Sequence, residues 1–325
     1  MDMPAPEHAI AIDLGGTKCA AALVAADGKI GYSRSIKYER ADDVGALINQ
    51  IIADLISRAR KNHSTISGIG ISVPGISDPE KGTVWAPNIK GWDHYPLRQV
   101  IIEQLPVPGL PVSIESDRGC SILGENWLGA ARGADHAIFL AVGTGIGAGI
   151  LSGNQIIRGW QDSAGAVGWM ALQRPYNEKL TRFGCFEYYA SGDGLIRAAR
   201  EFLPDRSTAL INKDTIDAMT AENLFDAYGK GDLLAQMVLD QAIEFWGMAS
   251  ANLVSLFNPE IIIFGGGVFG PATQFLDRIY EEAKKWAQPI AIQQVRFMKS
   301  MLSGNAPLLG AAFLAFKNAS IKQKT

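Results

Sequence analysis

Hydrophobic residues follow two rhythms along the chain. From His8 to Leu14, and again from Cys19 to Ala26, apolar residues run almost unbroken with Gly15-Gly16-Thr17 between them. That pattern predicts a hairpin of buried strands closed by a glycine-rich turn. Gly31 to Tyr38 reads as a third strand. Between Asp42 and Arg60 the spacing changes, because Val44, Leu47, Ile51, Leu55 and Ile56 lie on one side of a 3.6-residue repeat, and this predicts a helix opened by an acidic cap. Ile66 to Val73 returns as a strand running into Pro74-Gly75, and Val112 to Glu115 as a short strand ending at Asp117, ahead of a helical stretch Arg118 to Leu128. Ala137 to Val142 opens a second hairpin with the turn Gly143-Thr144-Gly145-Ile146-Gly147. The two turns, roughly 130 residues apart, are one device used twice and suggest an internal duplication into two similar lobes. Helical spacing then dominates over Glu187 to Phe202, Leu233 to Phe257 (stopped by Asn258-Pro259), Gln274 to Trp286 and Leu308 to about Lys317. Ile261 to Phe264 interrupts it as a buried-type strand ending in Gly265-Gly266-Gly267.

Composition bounds the reading. With 325 residues, 47% of them hydrophobic, the chain can build about two domains, and disorder is excluded as its main state. Charged residues make up only 19% and the net charge is -3, so no diffuse basic field draws the protein to nucleic acid or to an anionic membrane. The longest weakly polar stretch, Ala137 to Leu151, falls short of the roughly 20 apolar residues that span a bilayer and is broken by Gly143, Gly145, Gly147 and Gly149. Cys19, Cys120 and Cys185 are odd in number and scattered, unlike a secreted disulfide framework. Met1 to His8 lacks the basic start and apolar run of a signal peptide, so a reducing, cytoplasmic setting is expected. His8, His63, His94 and His136 show no ligand spacing, and Lys317 to Lys324 reads as a solvated tail.

The turns carry the candidate chemistry. In Asp13-Leu14-Gly15-Gly16-Thr17-Lys18, glycines let consecutive backbone N–H groups approach an anion, and a carboxylate at the strand end can hold a divalent metal through water. One such turn is equally an ordinary hairpin. Two of them, with Gly143-Thr144-Gly145-Ile146-Gly147, can hold a triphosphate from both sides. Neither is a P-loop, since the G-x-x-x-x-G-K-[ST] pattern is absent.

These marks, together with Gly70-Ile71-Ser72-Val73-Pro74-Gly75, Pro87-Asn88 with Gly91-Trp92, Glu115-Ser116-Asp117, Gly184-Cys185-Phe186-Glu187 with Ser191-Gly192, and Asn258-Pro259-Glu260 running into Gly265 to Gly267, resemble the ROK sugar kinases of the actin and hexokinase-like ATPase superfamily over nearly the whole chain. The resemblance implies an α/β, two-lobed actin-like ATPase (ribonuclease H-like) fold with a central nucleotide and sugar cleft that closes on its substrates. It implies transfer of the γ-phosphoryl group of ATP, with Mg²⁺ held through water by Asp13, to a hydroxyl, the 6-hydroxyl, of a hexose or hexose derivative. Asp117 would be the general base, and Asn88, Asp117, Glu187, Trp169 and Gly75 would contact the sugar. Gly15, Gly16, Thr17, Lys18, Gly143, Thr144, Gly145, Gly265, Gly266 and Gly267 would contact the nucleotide. Each position also has an ordinary structural reading: Asp117 as a helix cap, Asn88 as a turn residue, Glu187 as an acid in a first helical turn, the late glycines as a tight connection. A homodimer is what the family suggests.

The sequence also departs from the family. Most of its kinases carry Glu-x-Gly-His, whose glutamate and histidine reach the sugar near positions 1 and 2 while the histidine binds a structural zinc; here Ala166 and Trp169 stand in those places. The accompanying cysteine cluster is reduced to Cys185, with Glu178 and Leu180 at the other matching positions, so no structural zinc is expected. Cys185 then reads as a small buried residue. Either Trp169 changes the acceptor, toward a derivative altered at position 1 or 2, a glycoside or a cyclitol, or it fills the vacated volume and plain glucose still binds. Trp160 and Asp162 in the same loop add to the remodelling.

The family also contains repressors with an N-terminal helix-turn-helix domain, and none is expected here, since the first glycine hairpin begins about ten residues from Met1. Retention of Asp13, both glycine loops and Asp117 favours catalysis over sensing. The expected division is a smaller N-terminal lobe, 1-116, with the last helix (about 306-325) packing back on it, and a larger lobe, 117-305.

Overall fold

The structure, a computed structural model, describes residues 7–39 and 43–322. The expectations that involve residues 1–6, Asp42 and Lys324 lie outside them. The chain forms two compact units, one made of Met1–Gly133, Arg158–Ala164 and Gly304–Thr325, the other of Ala134–Ile157 and Gly165–Ser303. The first unit therefore keeps the helix that follows Asp117 and a short excursion near Asp162.

In the first unit the apolar runs form β1 (Glu7–Leu14) and β2 (Lys18–Ala25), joined as the hairpin, followed by β3 (Ile30–Lys37), α1 (Val44–Lys61) and β4 (Thr65–Val73). A small ribbon, β5 (Ile76–Asp78) with β6 (Thr83–Trp85), precedes α2 (Leu97–Gln104), β7 (Val112–Ser116) and α3 (Asp117–Leu128). The main sheet runs β3-β2-β1-β4-β7, antiparallel through its first three strands and parallel beyond. Helix α1 buries Ile48, Ile51, Ile52 and Leu55 in the core of that sheet, and Asp43 caps it by accepting the N–H of Ala46 at 3.0 Å. A long helix, Ala306–Lys322, lies against β4, β1 and α3. Glycine makes that contact possible: a Cβ on Gly70 would overlap the Ala311 carbonyl, and one on Gly310 the Cys120 carbonyl. Backbone thus touches backbone.

The second unit repeats the plan. Its strands β8 (Ala137–Val142), β9 (Ile146–Ser152), β10 (Gln155–Ile156), β11 (Ile261–Gly265) and β12 (Arg296–Lys299) order as β10-β9-β8-β11-β12, again three antiparallel strands and then two parallel ones. Helices α4 (Cys185–Ala190), α5 (Gly192–Arg206), α6 (Ala221–Gly229), α7 (Leu233–Phe257), α8 (Leu276–Lys284) and α9 (Ala291–Gln294) supply the rest of its core, with Trp246 and Phe186 fully buried. The helix expected from Glu187 to Phe202 is in fact two, because Ser191 leaves helical geometry and its hydroxyl caps α5 through the Gly194 N–H at 3.0 Å. The helix Ala306–Lys322 follows α9 as α10. The glycine loops are the β1-β2 and β8-β9 turns, so they occupy equivalent corners of two equivalent sheets.

Candidate active site

In the first unit the side chain of Asp13 emerges at the end of β1. Its Oδ1 accepts the Ser72 hydroxyl from the neighbouring strand at 2.8 Å. The Asp13 carboxyl is pushed up to about 6, mainly by burial, with the hydrogen bond from Ser72 opposing, nearby Asp117 adding to the rise and Lys18 lowering it. Asp117 occupies the first turn of α3. The cap of that helix is Ser116, whose hydroxyl accepts the Gly119 N–H at 3.2 Å, so Asp117 is not spent as a cap. Its Oδ1 takes the Arg118 N–H at 2.8 Å. About half of the Asp117 side chain is solvent-accessible (49%), yet protein mass around the carboxyl raises its pKa, opposed by Arg118 and local backbone N–H groups.

Around this pair the loops are pinned. Gly15 donates its N–H to Lys18 at 2.9 Å, and the Tyr38 hydroxyl donates to the Gly15 carbonyl. The amides of Gly16 and Thr17 then have no backbone partner among the described residues, and Gly16, Thr17 and Lys18 are exposed. Arg118 donates to the Gly75 carbonyl at 3.2 Å, tying the Pro74-Gly75 turn to the head of α3. Gly75 has φ +84°, and a Cβ there would run into the Trp85 carbonyl. Asn88 is exposed in a turn held by the Ile89 N–H on Ala86 at 3.0 Å, and its amide nitrogen lies 3.8 Å from where a Cβ on Gly16 would stand. Glu115, 3% exposed, is satisfied by Arg158 at 2.6 Å, and Arg158 also faces Asp162 at 3.6 Å.

The second unit gathers its own set. Glu187 accepts the Ile146 N–H at 2.7 Å, so its carboxylate closes the second glycine loop from behind. It fits because Gly145 and Gly168 carry no side chain: a Cβ on Gly145 would stand 2.8 Å from Glu187 Oε2, and one on Gly168 3.1 Å from the same oxygen. Burial raises the Glu187 pKa, while the Ile146 N–H and Arg197 lower it. Gly143 bonds Gly145 at 2.9 Å and accepts the Gly192 N–H at 2.7 Å, leaving the amides of the exposed Thr144 and Gly145 without backbone partners among the described residues. Of the late glycines, Gly265 clears Phe139 and Gly266, at φ +86°, clears the Val142 carbonyl, whereas Gly267 faces open space. Trp169 is 58% exposed. It does not fill a core.

The structure thus brings Asp13, Asp117, Gly75, Asn88 and the first loop into one unit, and Glu187, Trp169, Gly143 to Gly145 and Gly265 to Gly267 into the other. Ser72, Arg118 and Arg158 support the site unforeseen; Arg158 joins Glu115 across a gap in sequence that no local pattern signals. For a water-bound Mg²⁺ the donors fit: Oδ2 of Asp13 has no protein partner among the described residues, and a cation would relieve the repulsion by which Asp117 raises the Asp13 pKa. The zinc positions do not fit a four-ligand site. Cys185 and Leu180 are buried, and among the described residues no group of three or more His, Cys, Asp or Glu could hold a metal ion.

The ROK family model matches residues 9–318. The chain belongs to the ROK family. As a ROK protein it is 31% identical over 326 residues to a glucokinase of Halalkalibacterium halodurans, covering 97% of each chain. It is 29% identical to a putative xylose repressor of Caldicellulosiruptor, over 95% of this chain and 78% of that one. A ROK glucokinase of Streptomyces griseus solved with glucose and AMPPNP superposes with a TM-score of 0.74 at 28% identity, over 95% of this chain and 99% of that one. The fold is the two-domain actin-like ATPase fold of those kinases.

Proposed function

We propose that the protein is an ATP-dependent kinase that transfers the γ-phosphoryl group to a hydroxyl of a hexose or hexose derivative, the 6-hydroxyl, with Asp117 as general base. The observation that carries this reading is the pair of carboxylates, Asp13 and Asp117, set beside a glycine loop whose amides are open. An acceptor hydroxyl gives its proton to Asp117 as its oxygen attacks phosphorus, and ADP departs. A carboxyl with a raised pKa suits a proton acceptor working near neutrality. Gly16, Thr17, Thr144 and Gly145 direct N–H groups to phosphate oxygens. Asp13 would hold Mg²⁺ through water, and the ion would supply charge neutralisation to the triphosphate. Asn88, Gly75 and Glu187 bind the sugar, and the indole of Trp169, exposed where the family has a zinc-bound histidine, reads the acceptor near position 1 or 2.

The test is ADP release with Mg²⁺-ATP against glucose, mannose, N-acetylglucosamine, N-acetylmannosamine, glucosamine, a β-glucoside and cyclitols. Asp117→Asn is expected to lower kcat by about 10²- to 10⁴-fold while KM for ATP stays within a few-fold. Unchanged turnover in that variant would remove Asp117 from the chemistry. Sugar binding without any turnover in the parent protein would favour a sugar sensor instead.

A further inference from the structure

The first unit holds a cavity of about 610 Å³ that the catalytic groups do not use. Its floor is one face of the β5-β6 ribbon. Ile76 pairs with Trp85 and Asp78 with Thr83, so these four side chains point the same way while Ser77 and Val84 point inward and are buried. His94 and Gln161 complete the wall, and Lys81 pairs with Asp78 at 2.8 Å. The Trp85 side chain lays a large apolar plane, 41% exposed, along this wall. Around it stand an amide, a hydroxyl and an ion pair. The Thr83 hydroxyl and the Gln161 amide have no hydrogen-bond partner among the described residues, although Gln161 and Asp162 are both held at positive φ (57° and 56°) in a loop anchored by Arg158.

An aromatic plane ringed by hydrogen-bonding groups is what a sugar ring requires, since the ring has an apolar C–H face and a polar hydroxyl rim. The place of the cavity ties it to the acceptor. Gly75 immediately precedes Ile76, Asn88 follows Trp85 by three residues, and the Ile76-Trp85 pair closes the end of the ribbon nearest both. On the other side Arg158 links Glu115, two residues before Asp117, to the loop that carries Gln161.

We propose that this cavity is a second carbohydrate subsite, in which Trp85 stacks on a sugar ring glycosidically joined to the acceptor hexose, so that the preferred substrate is a disaccharide or glycoside. The inference rests on the kinase reading for its direction but is read out separately from it. The probes are cellobiose and glucose, measured by ADP release and by calorimetric binding without nucleotide. In the parent protein cellobiose binds more tightly than glucose, and the ratio of kcat/KM for cellobiose to that for glucose falls about tenfold in Trp85→Ala and is largely restored in Trp85→Tyr. An unchanged ratio in Trp85→Ala, or no cellobiose binding, overturns the subsite even if glucose is phosphorylated. If no sugar is phosphorylated, the kinase reading falls, and the subsite stands or falls on whether Trp85→Ala weakens cellobiose binding about tenfold.

Discussion

Asp13 is a largely buried carboxylate whose charge works against folding at neutral pH. Its pKa of about 6 in the folded chain exceeds the ordinary carboxylate value near 4, so the native state holds a proton that the unfolded state has released between those values. Its contribution favours folding below pH 4 and is lost as pH rises through 6. Asp13→Asn keeps the acceptor for Ser72 without the charge. It is expected to raise stability at pH 7.5 by on the order of 2 kcal/mol in urea unfolding without Mg²⁺, to flatten the pH slope between 4 and 6, and to abolish phosphoryl transfer. Equal unfolding curves for both proteins at pH 7.5 would contradict it. The thiols make a second case. Burial holds Cys19 at about 12 and Cys120 well above the usual thiol value, and both are fully enclosed. Native protein at pH 8 should resist iodoacetamide at these two positions by mass spectrometry, and modification within minutes would show that the core opens. The place of Asp13 at the head of a glycine turn was legible, because a carboxylate at a strand end before two glycines is a local pattern. Its partner Ser72 stood in plain sight within Gly70 to Gly75, but only the parallel register of β1 and β4, Asp13 opposite Ser72, joins them.

At the scale of elements, long apolar runs declared themselves and short pieces did not. Both glycine hairpins, α1, α7 and β11 follow from uninterrupted or 3.6-spaced hydrophobic positions. The three-residue strands β5 and β6, and the edge strand β12 with its exposed ends, carry too few residues to show a period. Helix α4 was merged with α5 because the break at Ser191 is made by a capping hydroxyl rather than by proline or charge. The β8-β9 corner yields a prediction of its own. Gly145→Ala pushes the movable carboxylate of Glu187 away from the Ile146 N–H rather than striking backbone. Stability is expected to fall by less than about 1 kcal/mol while kcat/KM drops about tenfold or more, and a loss of stability without loss of activity would reverse that account. Gly70→Ala is the contrasting case, since its Cβ meets the immobile Ala311 carbonyl of α10. We expect about 3 kcal/mol or more of destabilisation by urea titration, and a cost under 1 kcal/mol would mean that α10 slides freely.

For the whole molecule, two sheets of identical strand order explain why the same glycine turn occurs twice in the sequence, and the family match over residues 9–318 agrees with one architecture throughout. What no hydrophobic pattern could supply is which distant segments share a unit, since apolar faces on α3 and α10 look alike whichever core receives them. That partition bears on how the protein is made. The second unit lies wholly between α3 and α10 in the chain, and α10 covers β1, β4 and α3. On the ribosome the second unit can therefore finish folding while the first still lacks a helix that its sheet needs, with the seat of Gly70 and Cys120 uncovered. A ribosome stalled just before Ala306 should carry a protease-resistant second unit and a first unit that chaperones still bind, and release of α10 is the step that ends that association.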